Sequence, residues 1–108
     1  MAYSRSVVFV ETPIFTRRIG NYLDDDEYSL LQSFLAEHPD AGKIIRGSGG
    51  IRKVRWAGSG RGKRGGLRVI YFWWVSKDRM SMLMVYPKSE QDDLQPDQLK
   101  QIKQQLAP

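Results

Sequence analysis

The chain has 108 residues, of which 41% are hydrophobic and 11% aromatic, and its formal net charge is +5. This length and composition predict one globular domain, residues 1–108, and argue against a disordered basic tail or a fold that depends on disulfide bonds. The absence of cysteine also excludes a thiol nucleophile and a zinc site built from cysteine.

Targeting and membrane signals are weak in this sequence. The N-terminal apolar run, Val7–Val10, is too short for the core of a signal peptide. No segment approaches the roughly 18 apolar residues that a membrane-spanning helix needs. We therefore expect a soluble cytoplasmic protein that does not associate with a membrane.

The positive charge is concentrated in residues 43–68. This segment contains nine of the Lys and Arg residues, no Asp or Glu, and eight of the ten glycines, whereas the rest of the chain has more acidic than basic residues. So concentrated a field favours a polyanionic partner, most commonly a phosphate backbone. The alternative is a charged surface that only keeps the protein soluble.

The first third of the chain predicts a strand followed by two helices. Ser6–Glu11 is rich in β-branched and aromatic residues and predicts the strand. Thr12-Pro13 is a typical helix start, because Thr caps a helix and Pro is tolerated at the first helical position. The acidic run Asp24–Glu27 precedes a second helical repeat, where the helix dipole favours acidic side chains. His38-Pro39 ends that helix, so we expect an αα-hairpin.

The first strand of the second half carries basic side chains. Ile51–Trp56 alternates with the period of a strand, which places Lys53 and Arg55 on one face. Arg52 and Trp56 then lie on the opposite face. Ala57–Gly66 is rich in glycine and predicts a turn or a mobile loop.

The remaining elements complete a sheet and a terminal helix. Leu67–Val75 is apolar on both faces, which predicts a central strand. Met80–Tyr86 predicts the next strand, and an apolar stripe in Pro96–Leu106 predicts a helix that docks on a surface. The order β-α-α-β-β-β-α indicates the α+β class, with a small antiparallel sheet formed by the first strand and a three-strand meander, and with the helices packed on one side.

Basic side chains of the two middle strands are the first candidates for a functional site. Antiparallel pairing of residues 51–56 with 67–75 is expected to bring Lys53 and Arg55 beside Arg68. Such a cluster can hold phosphates and stabilise the negative charge that develops on phosphorus when a ribose 2′-hydroxyl attacks. Further candidates for contacts with a nucleic acid lie in the same basic segment: Arg46, Arg52, Arg61, Lys63 and Arg64.

Tyr86 and Lys88 follow at the end of the last strand. They can act as base, acid or phosphate contact if neighbouring cations or burial move their pKa values toward neutrality. The alternative is a tyrosine that packs on the C-terminal helix. Among the aromatic residues, Trp56 is the best candidate to stack on a base, because the others are needed in the core.

Metal-dependent chemistry has little support in the sequence. His38 is the only histidine, so no second His or Cys shares a metal with it. The acidic run 24–27 and the pair Asp92-Asp93 are the possible Mg²⁺ ligands. Each lies at a predicted helix start, where capping is the more common role. We therefore expect no metal or other cofactor.

Two segments resemble the RelE/ParE superfamily of type II toxins. They are GGIRKVRWAGSGRGKRGGLRVIYFW, residues 49–73, and MVYPKSEQDDL, residues 84–94. The first is similar to the GLRKxR…GKGKRGGxRVIYY pattern of the HigB-like branch. The likeness covers nearly the whole chain and implies a RelE-like fold.

The resemblance also implies a function. RelE-like toxins are ribosome-dependent endoribonucleases that cut mRNA in the A site without a metal, using the ribose 2′-hydroxyl as nucleophile. By position, Lys53 and Arg55 match the paired basic residues before the loop. Arg68 matches the arginine that supports the scissile phosphate, and Lys88 matches the basic position after the last strand.

The chain departs from RelE near its C-terminal end. RelE has an arginine where this chain has Ser89, and a tyrosine near the positions of Asp92, Asp93 and Leu94. Tyr86 and Arg64 are the candidates to replace them. Lys53 is the first candidate for the general base, and Tyr86 is the second.

Partners also follow from the resemblance. Such toxins are silenced by an antitoxin encoded beside them, which in HigB-like pairs is a HigA-like protein with a helix-turn-helix domain. The pair represses its own promoter, so operator DNA is expected to be bound only through the antitoxin complex. The other expected partners are mRNA and the A site of the 30S ribosomal subunit.

Two other functions are compatible with the residues. One is a ParE-like toxin that binds DNA gyrase and cleaves nothing. The other is a basic RNA-binding module, in which changing Lys53 or Arg68 to alanine lowers affinity and has no further effect.

Overall fold

The computed structural model describes residues 6–57 and 66–106. Its elements follow the predicted order, with one additional two-residue strand, β2. They are β1 (Val8–Glu11), α1 (Pro13–Ile19), α2 (Asp25–Glu37), β2 (Lys43–Ile44), β3 (Arg52–Trp56), β4 (Leu67–Trp74), β5 (Arg79–Pro87) and α3 (Pro96–Leu106), with a short 3-10 turn at Val75–Lys77.

The five strands form one mixed sheet in the order β1-β5-β4-β3-β2. Strands β2 to β5 pair antiparallel, and β4 lies at the centre, as predicted. Strand β1 pairs with β5 in parallel, so the expectation of a purely antiparallel sheet was wrong. The reason is that α1 and α2 carry the chain from one edge of the sheet to the other, and a helical crossover of this kind allows parallel pairing.

Two apolar clusters cover the two faces of the sheet. The first packs Phe15 of α1 and side chains of α2 against Val69 and Tyr71, and the second packs Ile102 of α3 against Ile70. The expectation that all helices lie on one side was therefore wrong. Val69, Ile70 and Tyr71 are consecutive and fully buried, so both faces of β4 need an apolar cover.

Local capping fixes where the first two helices begin. The Thr12 hydroxyl accepts a hydrogen bond from the N–H of Phe15 at 3.2 Å and donates one to the carbonyl of Leu83 at 2.9 Å, which ties the start of α1 to β5. Asp24 accepts from the N–H of Glu27 at 2.8 Å, and the Glu27 carboxylate accepts from the N–H of Asp24 at 2.9 Å. This reciprocal pair confirms the predicted capping role of the acidic run.

The hairpin between β3 and β4 closes tightly at Gly66. Its φ of +64° lies in the left-handed region, and a Cβ at this position would approach the carbonyl oxygen of Trp56 to 2.6 Å. Glycine is therefore required here. Most of the predicted loop Ala57–Gly66 lies outside the described residues. Among the helices of residues 6–57 and 66–106, none is long and apolar enough to cross a membrane.

Candidate nucleic-acid interface

Three of the candidate side chains lie next to one another across the centre of the sheet. Arg68 of β4 pairs in register with Arg55 of β3 on one side and with Tyr86 of β5 on the other. Residues that pair directly across strands point to the same face. We call this set (Arg55, Arg68, Tyr86) the arginine row. Arg55 is exposed, whereas Arg68 is 4% exposed and Tyr86 fully buried.

A second row of cations follows on the same face. Lys53 lies two residues before Arg55 on β3 and pairs in register with Lys43 of β2. We call Lys43 and Lys53 the lysine row. A strand advances by about 6.6 Å over two residues, so the two rows lie about 6.6 Å apart along β3. This separation is similar to the distance between consecutive phosphates of an RNA strand.

An acidic residue from another part of the chain enters this cluster. The Nζ atom of Lys53 lies 2.5 Å from Oδ1 of Asp93, which belongs to the loop before α3. The hydrogen bond from Lys53 and its charge lower the pKa of Asp93, and Arg68 and Arg55 lower it further. The Asp93 carboxylate therefore lies in the field of three candidate phosphate-binding cations.

The interpretation of Asp93 as a helix cap was wrong. Helix α3 begins only at Pro96, and the side-chain oxygen of Gln98 accepts the hydrogen bond from the N–H of Gln95 at its start. The partner of Asp93, Lys53, lies 40 residues earlier in the chain. No local pattern could have predicted this contact.

The Tyr86 hydroxyl is the unusual group of the arginine row. It is buried and has no hydrogen-bond partner within residues 6–57 and 66–106. Burial raises its pKa to about 12, the carboxylates of Asp93 and Asp92 contribute in the same direction, and Arg68 opposes them. The condition set for Tyr86 as a base, a pKa moved toward neutrality, is thus not met. The phenol stays protonated at neutral pH and is able to donate a proton.

Lys88 lies at the same end of the sheet as the arginine row. It directly follows β5 and is exposed. Its backbone N–H donates to the carbonyl of Gly66 at 3.1 Å, two residues before Arg68. The backbone therefore holds Lys88 close to the start of β4.

The remaining candidates divide between two faces. Arg52 donates to the carbonyl of Gly42 at 2.7 Å, and the Trp56 ring packs 5.4 Å from that of Phe34 of α2. Both side chains belong to the face covered by α1 and α2 and do not join the two rows. Arg46 is exposed in the turn after β2 and borders the lysine row. Three further candidates lie outside the described residues: Arg61, Lys63 and Arg64.

Metal ligands do not cluster in the part of the chain that is described. Within residues 6–57 and 66–106, no three His, Cys, Asp or Glu side chains are close enough to hold one ion. His38 is the C-cap of α2, and its ring packs 5.2 Å from Phe34. This contact accounts for the only histidine as a structural residue.

A model of the family "RelE toxin of RelE / RelB toxin-antitoxin system" matches residues 31–107, which is well over half of the chain. The chain belongs to the RelE toxin family. The matched span contains β2 to β5 and α3, so both rows of this RelE-family toxin lie inside it.

A solved structure is similar over almost the whole RelE-family chain. It is the E. coli toxin RelE in the free state, in a mutant with two arginines changed to alanine. The TM-score is 0.60, with 14% sequence identity over 95% of this chain and 100% of the E. coli chain. At this identity the comparison shows a common fold, and it confirms the RelE-like α+β architecture.

Proposed function

We propose that this RelE-family toxin is an endoribonuclease that cleaves mRNA on the ribosome. The arginine row carries the proposal. Arg68 is held almost fully buried between an exposed arginine, Arg55, and the hydroxyl-bearing Tyr86. Arg55 and Arg68 lie side by side in register on one face, so two guanidinium groups are placed where both can donate hydrogen bonds to one phosphate.

The arginine row is suited to RNA cleavage in which the ribose 2′-hydroxyl is the nucleophile. The 2′-oxygen forms a bond to the neighbouring phosphorus while the bond from phosphorus to the 5′-oxygen of the next nucleotide breaks. The products are a 2′,3′-cyclic phosphate and a 5′-hydroxyl. Arg55 and Arg68 stabilise the negative charge that grows on the phosphoryl oxygens, so side chains supply the charge that a metal ion provides in other nucleases.

Two protons move in this reaction. The protonated Tyr86 hydroxyl is suited to donate one to the departing 5′-oxygen. The proton of the 2′-hydroxyl needs an acceptor, and Lys53, the first candidate, can take it only as the unprotonated amine. Because Lys53 is paired with Asp93 in the free protein, this role requires that the pair opens when RNA enters.

The proposal extends to the partners. Membership of a toxin family from a toxin–antitoxin system supports a cognate antitoxin. The motif at residues 49–73 favours the HigB-like branch, with a HigA-like antitoxin that carries a helix-turn-helix domain. We propose that operator DNA is bound only through that complex, and that the direct targets of the toxin are mRNA and the 30S A site.

The test is primer extension on mRNA from translating ribosomes. Wild type is compared with Arg68→Ala, with Arg55→Ala and with a control, Arg17→Ala, which removes an exposed arginine of α1. Loss of one charge-stabilising group is expected to lower the cleavage rate by about 10²-fold to 10³-fold. The exposed Arg55 variant keeps the fold intact, which guards against misreading an unfolded Arg68 variant.

Three outcomes are informative. Cuts that are present in wild type and the control and lost in both site variants support the nuclease. Cuts that both variants retain show that the site lies elsewhere. Growth arrest without any cuts favours a bound target such as DNA gyrase.

A further inference from the structure

A cleft of about 360 Å³ lies beside the lysine row. Its charged border is formed by Lys43, Lys53 and Arg46, and its apolar lining includes Ile45, Leu94 and Leu99. The cleft thus joins β2, the loop before α3 and α3 itself. The reaction proposed for the arginine row gives no role to this combination of cations and aliphatic side chains.

We infer that this cleft binds a nucleoside of the RNA, with the phosphate of the same nucleotide on Lys53. The inference rests on the proposed function, because it names a subsite for the same RNA. The apolar wall of the cleft adds a binding contact outside the bond-breaking step, in which Lys53 is the candidate proton acceptor.

The Asp93 carboxylate marks the position of the phosphate. It accepts a hydrogen bond from Lys53 in the free protein and is itself 74% exposed at the side chain, on a loop at the mouth of the cleft. A carboxylate and a phosphate offer similar oxygen acceptors to an ammonium group. RNA is therefore expected to displace Asp93 and to place a phosphate at this point.

The aliphatic lining selects a nucleoside over a second anion. Leu94 and Leu99 are partly buried and pack on the second apolar cluster, so their positions are fixed. Ile45 is partly buried beside them and packs on the same cluster. An aliphatic wall gains nothing from phosphate, whereas it gains from covering the flat apolar face of a base.

The spacing of the two rows agrees with this arrangement. The arginine row and the lysine row lie about 6.6 Å apart along β3, so consecutive phosphates of one strand reach both. A nucleotide whose phosphate rests on Lys53 then has the cleft directly beside it. Lys43 and Arg46 at the border remain available for the next phosphate.

The experiment is an NMR titration of the full-length, ¹⁵N-labelled protein with two probes, inorganic phosphate and adenosine 5′-monophosphate. We expect the nucleotide to bind about tenfold more tightly, because its base covers apolar surface that phosphate leaves in water. Both probes are expected to shift the amide signals of Lys53 and Asp93. Only the nucleotide is expected to shift those of Ile45, Leu94 and Leu99.

Leu94→Ala is the decisive variant, because Leu94 lines the cleft from the loop before α3, outside every helix and strand. It is expected to weaken nucleotide binding about threefold and to leave phosphate binding unchanged. Leu30→Ala is the matched control: Leu30 is 59% exposed on α2, on the opposite face of the sheet, and its truncation is expected to change neither affinity.

The outcomes separate the cleft from the nuclease. Nucleotide binding no tighter than phosphate binding, or insensitive to Leu94→Ala, overturns the inference even if mRNA is cleaved on ribosomes. Nucleotide binding in the cleft without any ribosomal cleavage supports the inference and rejects the proposed nuclease.

Discussion

At the scale of single residues, Tyr86 and Tyr71 show how differently two buried hydroxyls are used. The Tyr71 hydroxyl donates to the carbonyl of Pro39 at 2.7 Å and accepts from the N–H of Gly42 at 2.9 Å. The Tyr86 hydroxyl has no such partner among the described residues. A buried polar group without a partner lowers stability, so its position in the arginine row is better explained by function.

Replacing each tyrosine by phenylalanine tests this difference. Tyr71→Phe is expected to lower the free energy of unfolding by about 1–3 kcal/mol, because it leaves the Pro39 carbonyl and the Gly42 N–H without a partner. Tyr86→Phe is expected to leave that free energy unchanged or slightly higher, yet to reduce single-turnover cleavage by about 10²-fold. Urea denaturation and ribosomal cleavage measure the two effects. A destabilised Tyr86→Phe protein with normal cleavage would contradict the donor role.

The pH dependence of stability has a defined sign for Tyr86. Its pKa rises from 10.0 to about 12 on folding, so the folded state retains a proton that the unfolded state loses in this interval. This contribution to the free energy of unfolding is complete below pH 10 and is lost as pH rises toward 12. Tyr86→Phe is therefore expected to lose less stability than wild type over this range.

A further prediction at this scale concerns Asp93 as the proposed competitor of RNA for Lys53. Its carboxylate occupies Lys53, so Asp93→Asn is expected to increase affinity for single-stranded RNA by about twofold to fivefold, the range for an exposed ion pair. The affinity, measured by fluorescence anisotropy at several salt concentrations, is also expected to fall more steeply with salt. For about five phosphate contacts the slope of log K against log salt is about −3.5, and one further contact makes it steeper by about 0.7.

Asp92→Asn is the control for this prediction. Asp92 is the exposed neighbour of Asp93, and the substitution removes the same charge from the same loop. If both variants gain affinity equally, the effect is one of net charge. If Asp93→Asn binds RNA more weakly than wild type, Asp93 holds Lys53 in position instead of competing for it.

At the scale of elements, the hairpin of β3 and β4 determines whether the arginine row forms. Register across this hairpin pairs Arg55 with Arg68, and Gly66 at its closure has no room for a side chain. A slip of one residue would turn Arg68 to the opposite face, into the cluster under α1 and α2. The glycine is thus a requirement of the candidate site as well as of the fold.

Gly66→Ala is expected to lower the free energy of unfolding by about 1–3 kcal/mol, because it combines a positive φ with a contact to the Trp56 carbonyl. Gly20→Ala is the matched control. Gly20 has a helical φ of −65° and no atom within 4 Å of the added Cβ. The free energy of unfolding of the Gly20→Ala protein is therefore expected to be unchanged or slightly raised. Equal stability of the two variants in urea would contradict the tight closure.

At the scale of the whole molecule, the fold converts a basic segment into a basic surface. The segment 43–68 includes β2, β3 and the start of β4, which are neighbours in the sheet. Its charges are therefore arranged in two rows and not along a line. Helices pack on both faces of the sheet, yet Arg55 remains exposed and the Lys53 side chain is 27% exposed. These cations therefore remain accessible to a polyanionic partner.

The sequence by itself determined the elements of this protein and the character of its ligand. Thr12-Pro13, the acidic run before α2 and the alternation in β3 act through neighbours a few residues away, so their signals are local and readable. The concentration of positive charge is a property of composition and needs no coordinates. The motif around Arg68 was sufficient to indicate the family.

Tertiary structure alone decided how these parts combine. The parallel pairing of β1, the side on which α3 docks, the burial of Tyr86 and the contact between Lys53 and Asp93 all join residues far apart in the chain. Their energies arise only when distant segments meet, so no local pattern specifies them. The sequence therefore predicted the cations proposed to bind RNA, whereas the carboxylate that pairs with Lys53 became visible only in the folded chain.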